Sequence, residues 1–454
     1  MQKIFKETNF LDKKAVEKYL LSEEILMENA ASSMANFIKE KTPKNSKILI
    51  LCGKGNNGAD GYSLARMLNG SYDVSVLVQE MPKSELCILQ SKRAKLLHVK
   101  EVREVFEADV FVDAIFGSGQ REITDKSVLN TLLHVNTLNG LKIACDMPTG
   151  LFSSETFRAD FTLTFGALKE SLFYDNSKSF VGEIKCCDLG IDRSFFEEKN
   201  NTFLLEKSDL NLPIRKNTNT NKGDFGYLSV IKGEDESASI LSSMAGFRFG
   251  AGLVSLVGEK SQKIPYNIMQ TKNISPKTTA LVCGMGLGNV EVKKEWFDTL
   301  PTVLDADMLH KEITKEITQT NKNCVLTPHP KEFSSLLKIF TCKYVSVEEI
   351  QKDRFHFARE FSLTCKAVLV LKGANTLIAH EGKVYVCTLG NSALAKGGSG
   401  DVLAGMIGSL LAQGRSPLDA SINAVLAHSL VANNYKANNY SLTPQDLIEG
   451  IKWL

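Results

Sequence analysis

The sequence lacks the features that would assign it to several broad classes of protein. It has no excess of one charge, because 54 basic and 52 acidic side chains leave a formal net charge of +2, so no basic field indicates nucleic acid or acidic membrane as a partner. Its apolar runs are only a few residues long, far short of the ~20 needed to span a bilayer. Its N-terminus also lacks the apolar core of a signal peptide. We therefore expect neither a nucleic-acid nor a membrane partner.

Paired cysteine motifs are missing as well. The ten cysteines are scattered, none forms a CxxC pair, and only Cys186 and Cys187 are adjacent. Buried, reduced thiols that act as small hydrophobic groups explain the cysteines in apolar strand-like runs, which are Cys52, Cys145, Cys283 and Cys324. We expect no disulfide scaffold, no cysteine metal cluster and a cytoplasmic location.

What is present is a long globular chain with alternating apolar strands and helical patterns. A length of 454 residues favours two domains, and strands separated by helices predict parallel sheets covered on both faces. In the first half we predict helices at 12–41 and 58–68 and strands at 47–52, 72–78, 110–115, 143–145 and 161–165. After a polar linker at 210–222 we predict strands at 227–231, 253–257, 280–283, 303–304, 325–326 and 368–371, a hairpin of 377–379 with 384–387, and helices at 240–249 and within 401–454.

A first glycine-rich turn follows the strand at 47–52 and opens a helix. It runs Gly53-Lys54-Gly55-Asn56-Asn57-Gly58-Ala59-Asp60, so its glycines have the GxGxxG spacing. Glycines let the backbone approach a ligand and a helix N-terminus attracts an anion, which predicts a phosphate-bearing ligand. Hydride transfer does not follow from this pattern, and no lysine stands at the position that a P-loop requires. The two amides and the carboxylate of Asp60 either bind a hard cation or polar ligand, or serve only the turn and the helix start.

Two neighbouring strand ends carry further acidic groups. Asp113 ends one strand before a second glycine loop, and Asp146 ends the next strand before Thr149. Because the carboxyl ends of parallel strands meet at one edge of a sheet, we expect these groups to converge with the first turn.

These segments, GKGNNGADG, VDAIFGSG and DMPTG with Met27-Glu28-Asn29-Ala30-Ala31 upstream, resemble the NAD(P)H-hydrate epimerase family over roughly residues 10–200. The resemblance implies interconversion of the R and S hydrates of the reduced nicotinamide cofactors, with Asp146 as a catalytic residue. It implies a potassium ion held by Asn57, Asp113 and Thr149. The implied substrate contacts are Asn56, Asn57, Gly58, Ala59, Asp60, Gly117, Ser118, Gly119, Gln120, Arg121, Glu122, Ile123 and Asp146. Ala59 and Thr149 replace the family's usual glycine and serine, and threonine keeps the hydroxyl.

A second glycine-rich turn lies near the C-terminus. Lys396-Gly397-Gly398-Ser399-Gly400-Asp401 precedes apolar residues at helical spacing, so its backbone N–H groups form an anion-binding nest at a helix start. A carboxylate there suits a base that takes a proton from a hydroxyl while the nest stabilises phosphoryl charge. This turn resembles the anion hole and catalytic aspartate of ribokinase-like folds.

Further motifs narrow this resemblance: NKGDFG at 221–226, GMGLG at 284–288, DAD at 305–307, TPHPKE at 327–332 and KGANT at 372–376. Together they resemble the ADP/ATP-dependent NAD(P)H-hydrate dehydratases from about residue 215 to 454, which implies ADP as co-substrate and Mg²⁺ on its phosphates. Asp401 would be the base. The implied hydrate contacts are Ala251, Gly286, His329 and Asp401, and the implied nucleotide contacts are Lys372, Gly373, Ala374, Asn375, Thr376 and Gly400. Lys331 and Ser399 depart from the family's usual glycine and threonine, and His329 is alternatively a satisfied loop residue.

We therefore predict an α/β protein with an N-terminal Rossmann-like epimerase domain at 1–208 and a C-terminal ribokinase-like dehydratase domain at 215–454. Its partners would be the NADH and NADPH hydrates and ADP. The alternatives are a kinase of a vitamin-like alcohol, a redox enzyme built on the first turn, and a first domain that only binds. The sequence does not decide between ADP and ATP or between the two hydrates, and it leaves open whether the chain forms a homo-oligomer.

Overall fold

The chain folds into two compact units. A computed structural model describes residues 1–120 and 122–454. The first unit comprises Lys3–Asn200, and the second unit comprises Met1–Gln2 and Asn201–Leu454. The second unit therefore starts before the polar segment 210–222 that we predicted as a linker. The reason is the short strand Thr202–Leu204, which pairs with Lys383–Cys387 and so belongs to the second unit's sheet.

The first unit is built on a parallel sheet of seven strands. The elements in chain order are β1 (Gln2–Phe5), α1 (Asn9–Tyr19), α2 (Glu23–Lys41), β2 (Lys47–Cys52), α3 (Asn56–Leu68), β3 (Asp73–Val78), α4 (Glu85–Leu96), β4 (Lys100–Val102), β5 (Val110–Ala114), α5 (Lys126–Thr137), β6 (Leu141–Cys145), β7 (Phe161–Phe165), β8 (Leu168–Lys169), α6 (Lys178–Val181), β9 (Glu183–Cys187) and α7 (Arg193–Phe196). The strand order is β4-β3-β2-β5-β6-β7-β9, with all six pairings parallel. The order reverses between β2 and β5, and ligands of such sheets bind at that switch point.

The predicted helix over 12–41 is wrong in one respect, because it is two helices. Leu20 adopts a left-handed conformation with φ of 58° and ends α1. Ser22 then caps α2, and its side chain accepts a hydrogen bond from the Ile25 N–H. The apolar spacing continues across this break, so periodicity alone could not locate it.

The second unit contains a longer, mixed sheet. In chain order its elements are β10 (Thr202–Leu204), β11 (Tyr227–Ile231), α8 (Glu236–Arg248), β12 (Leu253–Val257), β13 (Met269–Thr271), β14 (Ala280–Cys283), β15 (Thr302–Leu304), α9 (Ile313–Thr320), β16 (Cys324–Leu326), α10 (Pro330–Thr341), α11 (Val347–Lys352), α12 (Arg354–Thr364), β17 (Val368–Leu371), β18 (Thr376–His380), β19 (Lys383–Cys387), α13 (Ser399–Ala412), α14 (Pro417–Asn434) and α15 (Pro444–Gly450).

The strands of this unit run in the order β13-β12-β11-β14-β15-β16-β17-β18-β19-β10. The pairs β17–β18 and β18–β19 are antiparallel, and the others are parallel. The predicted hairpin is confirmed, and its turn residues Glu381 and Gly382 have the positive φ values, 48° and 75°, that a two-residue hairpin turn needs. Here the order reverses between β11 and β14, which again marks an expected ligand-binding edge.

Most of the cysteine side chains are buried. All ten cysteines are free thiols, and the four in the predicted apolar strands are fully buried. Within residues 1–120 and 122–454, no helix is both long and apolar enough to cross a membrane.

Candidate functional site

The first glycine-rich turn packs against the neighbouring strand end. A Cβ on Gly53 would lie 2.1 Å from the carbonyl oxygen of Ile115, and one on Gly58 would lie 2.0 Å from the carbonyl oxygen of Gly53. Both positions therefore require glycine for backbone packing. Gly55 has no neighbour within 4 Å of such a Cβ, so at this position the turn is open towards the edge of the sheet.

Asp113 and Thr149 meet directly at the ends of β5 and β6. The Thr149 N–H donates to Asp113 Oδ2 at 2.6 Å, and the Thr149 hydroxyl donates to Asp113 Oδ1 at 2.7 Å. Burial raises the pKa of Asp113 to about 6, although hydrogen bonds from Thr149 and Ile115 oppose the rise. A nearby cation stabilises the ionised form of such a buried carboxyl group.

The predicted potassium ligands suit a hard cation chemically. Asp113 and Thr149 offer a buried carboxylate and a hydroxyl, and the Asn57 side chain offers an amide oxygen. The buried Nδ2 of Asn57 has no hydrogen-bond partner among the described residues. A set of neutral and singly charged oxygen donors fits a monovalent cation.

Asp146 lies at the centre of the first site. It has a left-handed backbone conformation, with φ of 70°, and its Oδ2 accepts a hydrogen bond of 3.0 Å from the Ser118 N–H. A Cβ on Gly117 would lie 3.1 Å from Asp146 Oδ2 and 3.3 Å from Asn57 Oδ1. The structure therefore brings Asn57, Gly117, Ser118 and Asp146 together, as the strand-end argument predicted.

Asp60 is the last polar residue of the first turn, and its carboxyl group has a raised pKa. Burial, followed by the neighbouring carboxylates of Asp146 and Asp12, holds the pKa of Asp60 well above its usual range. Paired carboxyl groups whose environments favour different protonation states can act as an acid and a base. Asp60 suits the acid of such a pair, because its raised pKa favours the protonated form.

The loop 117–123 is attached to the Asp146 segment. The Gln120 side chain donates to the Pro148 carbonyl at 2.9 Å and accepts from the Gly150 N–H at 2.8 Å, and the Ile123 N–H donates to the Ser153 hydroxyl at 2.7 Å. Gln120 thus has structural contacts as well as its predicted substrate contact. Ser118, Gly119 and Glu122 are exposed, and the predicted contact Arg121 lies outside the described residues.

Lys169 is a residue of this site that neither sequence motif indicated. It lies on the two-residue strand β8, and its Nζ is 2.5 Å from Asp146 Oδ1. Its place directly after the run Phe165–Leu168, which has no charged residue, is the one signal that could have marked it.

The second glycine-rich turn leads into α13 as predicted. Gly398 precedes the helix with φ of 91°, a conformation that favours glycine. Asp401 is in the first helical turn, and burial together with the carboxylate of Asp305 raises its pKa to about 6. A partly buried carboxylate of this kind is ionised at neutral pH and still accepts a proton, which is what a general base requires.

Lys372 connects this turn to two further acids. Its Nζ lies 3.0 Å from Asp305 Oδ1 and 3.8 Å from Glu332 Oε2, and 3.4 Å from the position of a Cβ on Gly400. Burial alone would lower the pKa of the Lys372 ammonium, but the two carboxylates raise it above its usual value. The predicted nucleotide contacts Lys372 and Gly400 are therefore adjacent to the predicted base, and Asp305 and Glu332 join them.

A buried arginine supports the loop that carries Lys372. Arg354, at the start of α12, donates to the carbonyl oxygens of Leu371, Lys372 and Asn375 at 3.2, 3.0 and 3.1 Å. These bonds fix the backbone of the predicted nucleotide contacts Lys372, Gly373, Ala374, Asn375 and Thr376. Sequence reasoning missed Arg354 because it comes from a separate helix.

His329 has a structural role that the sequence left as an alternative. It caps α10, since its Nδ1 accepts from the N–H groups of Lys331 and Glu332 at 3.1 and 3.3 Å, and its own N–H donates to Glu332 Oε2 at 2.7 Å. Its side chain is still 48% exposed, so its contact with the hydrate stays a prediction.

Two other predicted hydrate contacts lie at different places. Gly286 follows β14, with φ of 56°, and its carbonyl accepts from the Asp235 N–H at 3.0 Å, so it lies at the expected edge of the sheet. Ala251 precedes β12, and its N–H donates to the hydroxyl of Ser409, eight residues and about 12 Å along α13 from Asp401. The geometry does not bring Ala251 to the site, because it lies at the opposite ends of the strands.

Comparisons with known proteins agree with both halves of this description. One family model, described as the YjeF-related protein N-terminus, matches residues 23–171. Another, described as NAD(P)H-hydrate dehydratase, matches residues 228–452.

Two similar proteins cover 90% or more of this chain. The bifunctional NAD(P)H-hydrate repair enzyme Nnr of Helicobacter pylori is 42% identical over 100% of both chains. The enzyme of the same name from Escherichia coli is 31% identical over 90% of this chain and 84% of its own. Among solved structures, the ADP/ATP-dependent NAD(P)H-hydrate dehydratase from Bacillus subtilis, co-crystallised with ATP/Mg²⁺, is 27% identical, covers 53% of this chain and 92% of its own, and has a TM-score of 0.47.

Proposed function

This chain belongs to the family of bifunctional NAD(P)H-hydrate repair enzymes, and from that premise we propose that it restores hydrated NADH and NADPH with two active sites. The first unit epimerises the R and S hydrates, and the second dehydrates the S form at the expense of ADP. One observation carries the proposal: each half of a single chain places a carboxylate, Asp146 or Asp401, beside a glycine loop and a lysine.

The dehydration is a phosphoryl transfer followed by an elimination. Asp401 takes the proton of the C6 hydroxyl, the hydroxyl oxygen bonds to the β-phosphorus of ADP, and AMP leaves. The ring nitrogen then forms a double bond to C6 as the phosphate leaves with the electron pair of the C–O bond. Loss of a proton from C5 gives NAD(P)H. Phosphorylation helps because phosphate leaves far more readily than hydroxide.

The residues of the second unit divide this work. The N–H groups of the turn before α13 receive phosphoryl oxygens, and Lys372, which is 3.0 Å from Asp305, offers a fixed positive charge beside them. Mg²⁺, when bound, offsets the charge of the nucleotide phosphates. Asp305 and Glu332 would face it, and most of its ligands would come from phosphate and water, since within the described residues no group of three acidic, histidine or cysteine side chains is placed to hold an ion.

The epimerisation uses the acid and base of the first unit. C6 of the hydrate carries both a hydroxyl and the ring nitrogen, so the nitrogen lone pair can expel the oxygen. Asp60 protonates the hydroxyl, the C–O bond breaks as water leaves, and a planar C6=N1 iminium forms. Water then adds to the opposite face and loses a proton to Asp146, and proton exchange between the two carboxyl groups restores the site.

Potassium would be held by Asn57, Asp113 and Thr149. It would supply positive charge beside the buried Asp113 carboxylate, whose pKa burial raises to about 6. Asp113 and Thr149, joined by bonds of 2.6 and 2.7 Å, then fix the segment that follows Asp146. The free, mostly buried thiols support a reducing compartment, the cytoplasm.

The decisive experiment supplies the purified S hydrate of NADH with ADP and Mg²⁺ and follows the near-ultraviolet absorbance of reduced nicotinamide. We expect NADH, AMP and phosphate in equal amounts. A stable phosphorylated product without NADH would instead favour a small-molecule kinase and refute the dehydratase. For the first unit, an unchanged rate of R hydrate conversion by an Asp146→Ala variant would favour the alternative that this unit only binds.

A further inference from the structure

Lys169, Asp146 and Thr164 form a closed set of hydrogen bonds. Its Nζ donates to Asp146 Oδ1 at 2.5 Å and to the Thr164 hydroxyl at 2.8 Å, and that hydroxyl lies 3.3 Å from the same Asp146 oxygen. Both Lys169 and Asp146 are buried. A buried pair with this many contacts holds its members in one geometry, and removing one partner leaves the other without compensation.

The two side-chain oxygens of Asp146 have different partners. Oδ1 faces Lys169, while Oδ2 faces the Ser118 N–H in the glycine loop. Lys169 therefore lies behind the carboxylate and does not reach the loop side, where the hydrate is expected. Any effect of Lys169 on the reaction passes through Asp146.

The backbone at Asp146 also needs support. Its φ of 70° is a left-handed conformation that residues other than glycine rarely adopt. Such conformations persist only where surrounding contacts hold them, and they cluster at functional sites. The ion pair with Lys169 and the bond from Ser118 anchor the side chain from two sides.

Lys169 also offsets a concentration of negative charge. The carboxyl groups of Asp12, Asp60 and Asp146 influence one another, and the ammonium of Lys169 favours the ionised forms of Asp12 and Asp60. The Lys169 ammonium therefore partly balances the negative charge that these carboxyl groups bring to the site.

We propose that Lys169 is a positioning residue of the epimerase, holding the Asp146 side chain with Oδ2 aimed at the loop 117–118. The inference rests on the proposed epimerase function. It adds a residue that neither glycine-rich turn contains, and it makes the orientation of Asp146, the proposed base, depend on the ion pair with Lys169.

The test uses Lys169→Met in the full-length chain, with R hydrate, ADP and Mg²⁺ in one vessel. The S hydrate is converted first by the second unit, and the R hydrate follows at a rate set by the first unit. We expect kcat of the R phase to fall by about 100-fold or more, within the range of general acid–base contributions. KM for the R hydrate should change less than about threefold, because the groups that contact the substrate remain, and the S phase should be unchanged.

Two further variants separate positioning from folding. Lys142→Met makes the same substitution in β6, the strand that leads to Asp146, at a lysine that donates to the Leu138 carbonyl, and it should leave the R phase unchanged. Lys169→Arg keeps the charge and should regain at least about tenfold of the lost kcat.

Each remaining outcome is decisive. A normal R phase in Lys169→Met, a parallel rise in KM, or an arginine variant as slow as the methionine variant would overturn the positioning role. Failure of the wild-type chain to convert R hydrate at all would refute the proposed epimerase itself, and this result is distinct because it needs no variant.

Discussion

Replacing Asp401 by asparagine tests the proposed base of the second unit. Asparagine keeps the shape of the side chain but cannot accept a proton, so kcat for dehydration of the S hydrate should fall by about 10²- to 10⁴-fold. KM for ADP should change little, since the nest of N–H groups and Lys372 remain in place. Epimerisation in the first unit should be unaffected.

The raised pKa of Asp401 sets a pH dependence for the wild-type enzyme. With a pKa of about 6, about nine molecules in ten carry an ionised base at pH 7 and about one in ten at pH 5. The dehydration rate should therefore fall about tenfold when the pH is lowered from 7 to 5. The residual activity of Asp401→Asn should not show this fall between pH 7 and pH 5.

The same substitution should make the second unit more stable. The folded pKa of about 6 lies above the ordinary value of 3.8, so the folded state binds this proton more tightly than the unfolded state does. Above pH 6 the ionised Asp401 carboxylate therefore lowers the free energy of unfolding by the full amount. This destabilisation disappears as the pH falls from 6 towards 3.8. Asparagine removes the charge and should raise the free energy of unfolding at pH 7 by up to about 3 kcal/mol.

Steady-state kinetics and urea unfolding of Asp401→Asn at pH 5 and pH 7 measure all three effects. A variant with full activity would refute the base assignment. Lost activity combined with unchanged stability at both pH values would refute the environment described for this carboxylate.

Three further predictions concern the groups around the two sites. Lys372→Met leaves Asp305 without its ion pair of 3.0 Å, so KM for ADP should rise at least about tenfold in kinetic assays, and the free energy of unfolding in urea should fall by about 3 kcal/mol; an unchanged KM would contradict a nucleotide contact. Arg354→Met removes the donor to three backbone carbonyls, so it should also cost about 3 kcal/mol in urea unfolding and raise KM for ADP; normal values of both would contradict a supporting role. Replacing potassium by tetramethylammonium should slow the R phase but not the S phase in a stopped assay, and Asp113→Asn should lose this dependence; equal rates in both salts would refute the potassium site.

Most of the sheet could be predicted from the sequence, because its central strands are short continuous apolar runs. Lys47–Cys52 and Leu253–Val257 are examples, with both faces covered in the fold. Edge strands were missed where that signal is absent: Glu183–Cys187 carries two charged residues and is only partly buried. Boundaries between helices depend on single residues such as Ser22, which periodicity does not register.

The candidate sites were predictable to the extent that their residues lie in local motifs at strand ends. Asp113 and Thr149 are 36 residues apart yet hydrogen-bonded, because neighbouring parallel strands end at one edge. Lys169 and Arg354 support those motifs from other elements, and no spacing rule connects them to the residues they contact. The capping role of His329 had a usable signal, since Glu332 three residues later has the spacing of a capping box.

The most direct test of two cooperating sites on one chain is the fate of a mixture of R and S hydrates of NADH. The purified full-length protein is incubated with the mixture, ADP and Mg²⁺, and both hydrates, NADH and AMP are separated and quantified over time. We predict that both hydrates disappear, that NADH and AMP form in equal amounts, and that conversion by Asp146→Ala stops once the S hydrate is consumed. Persistence of the R hydrate with the wild-type chain, or complete conversion by Asp146→Ala at the wild-type rate, would contradict this prediction.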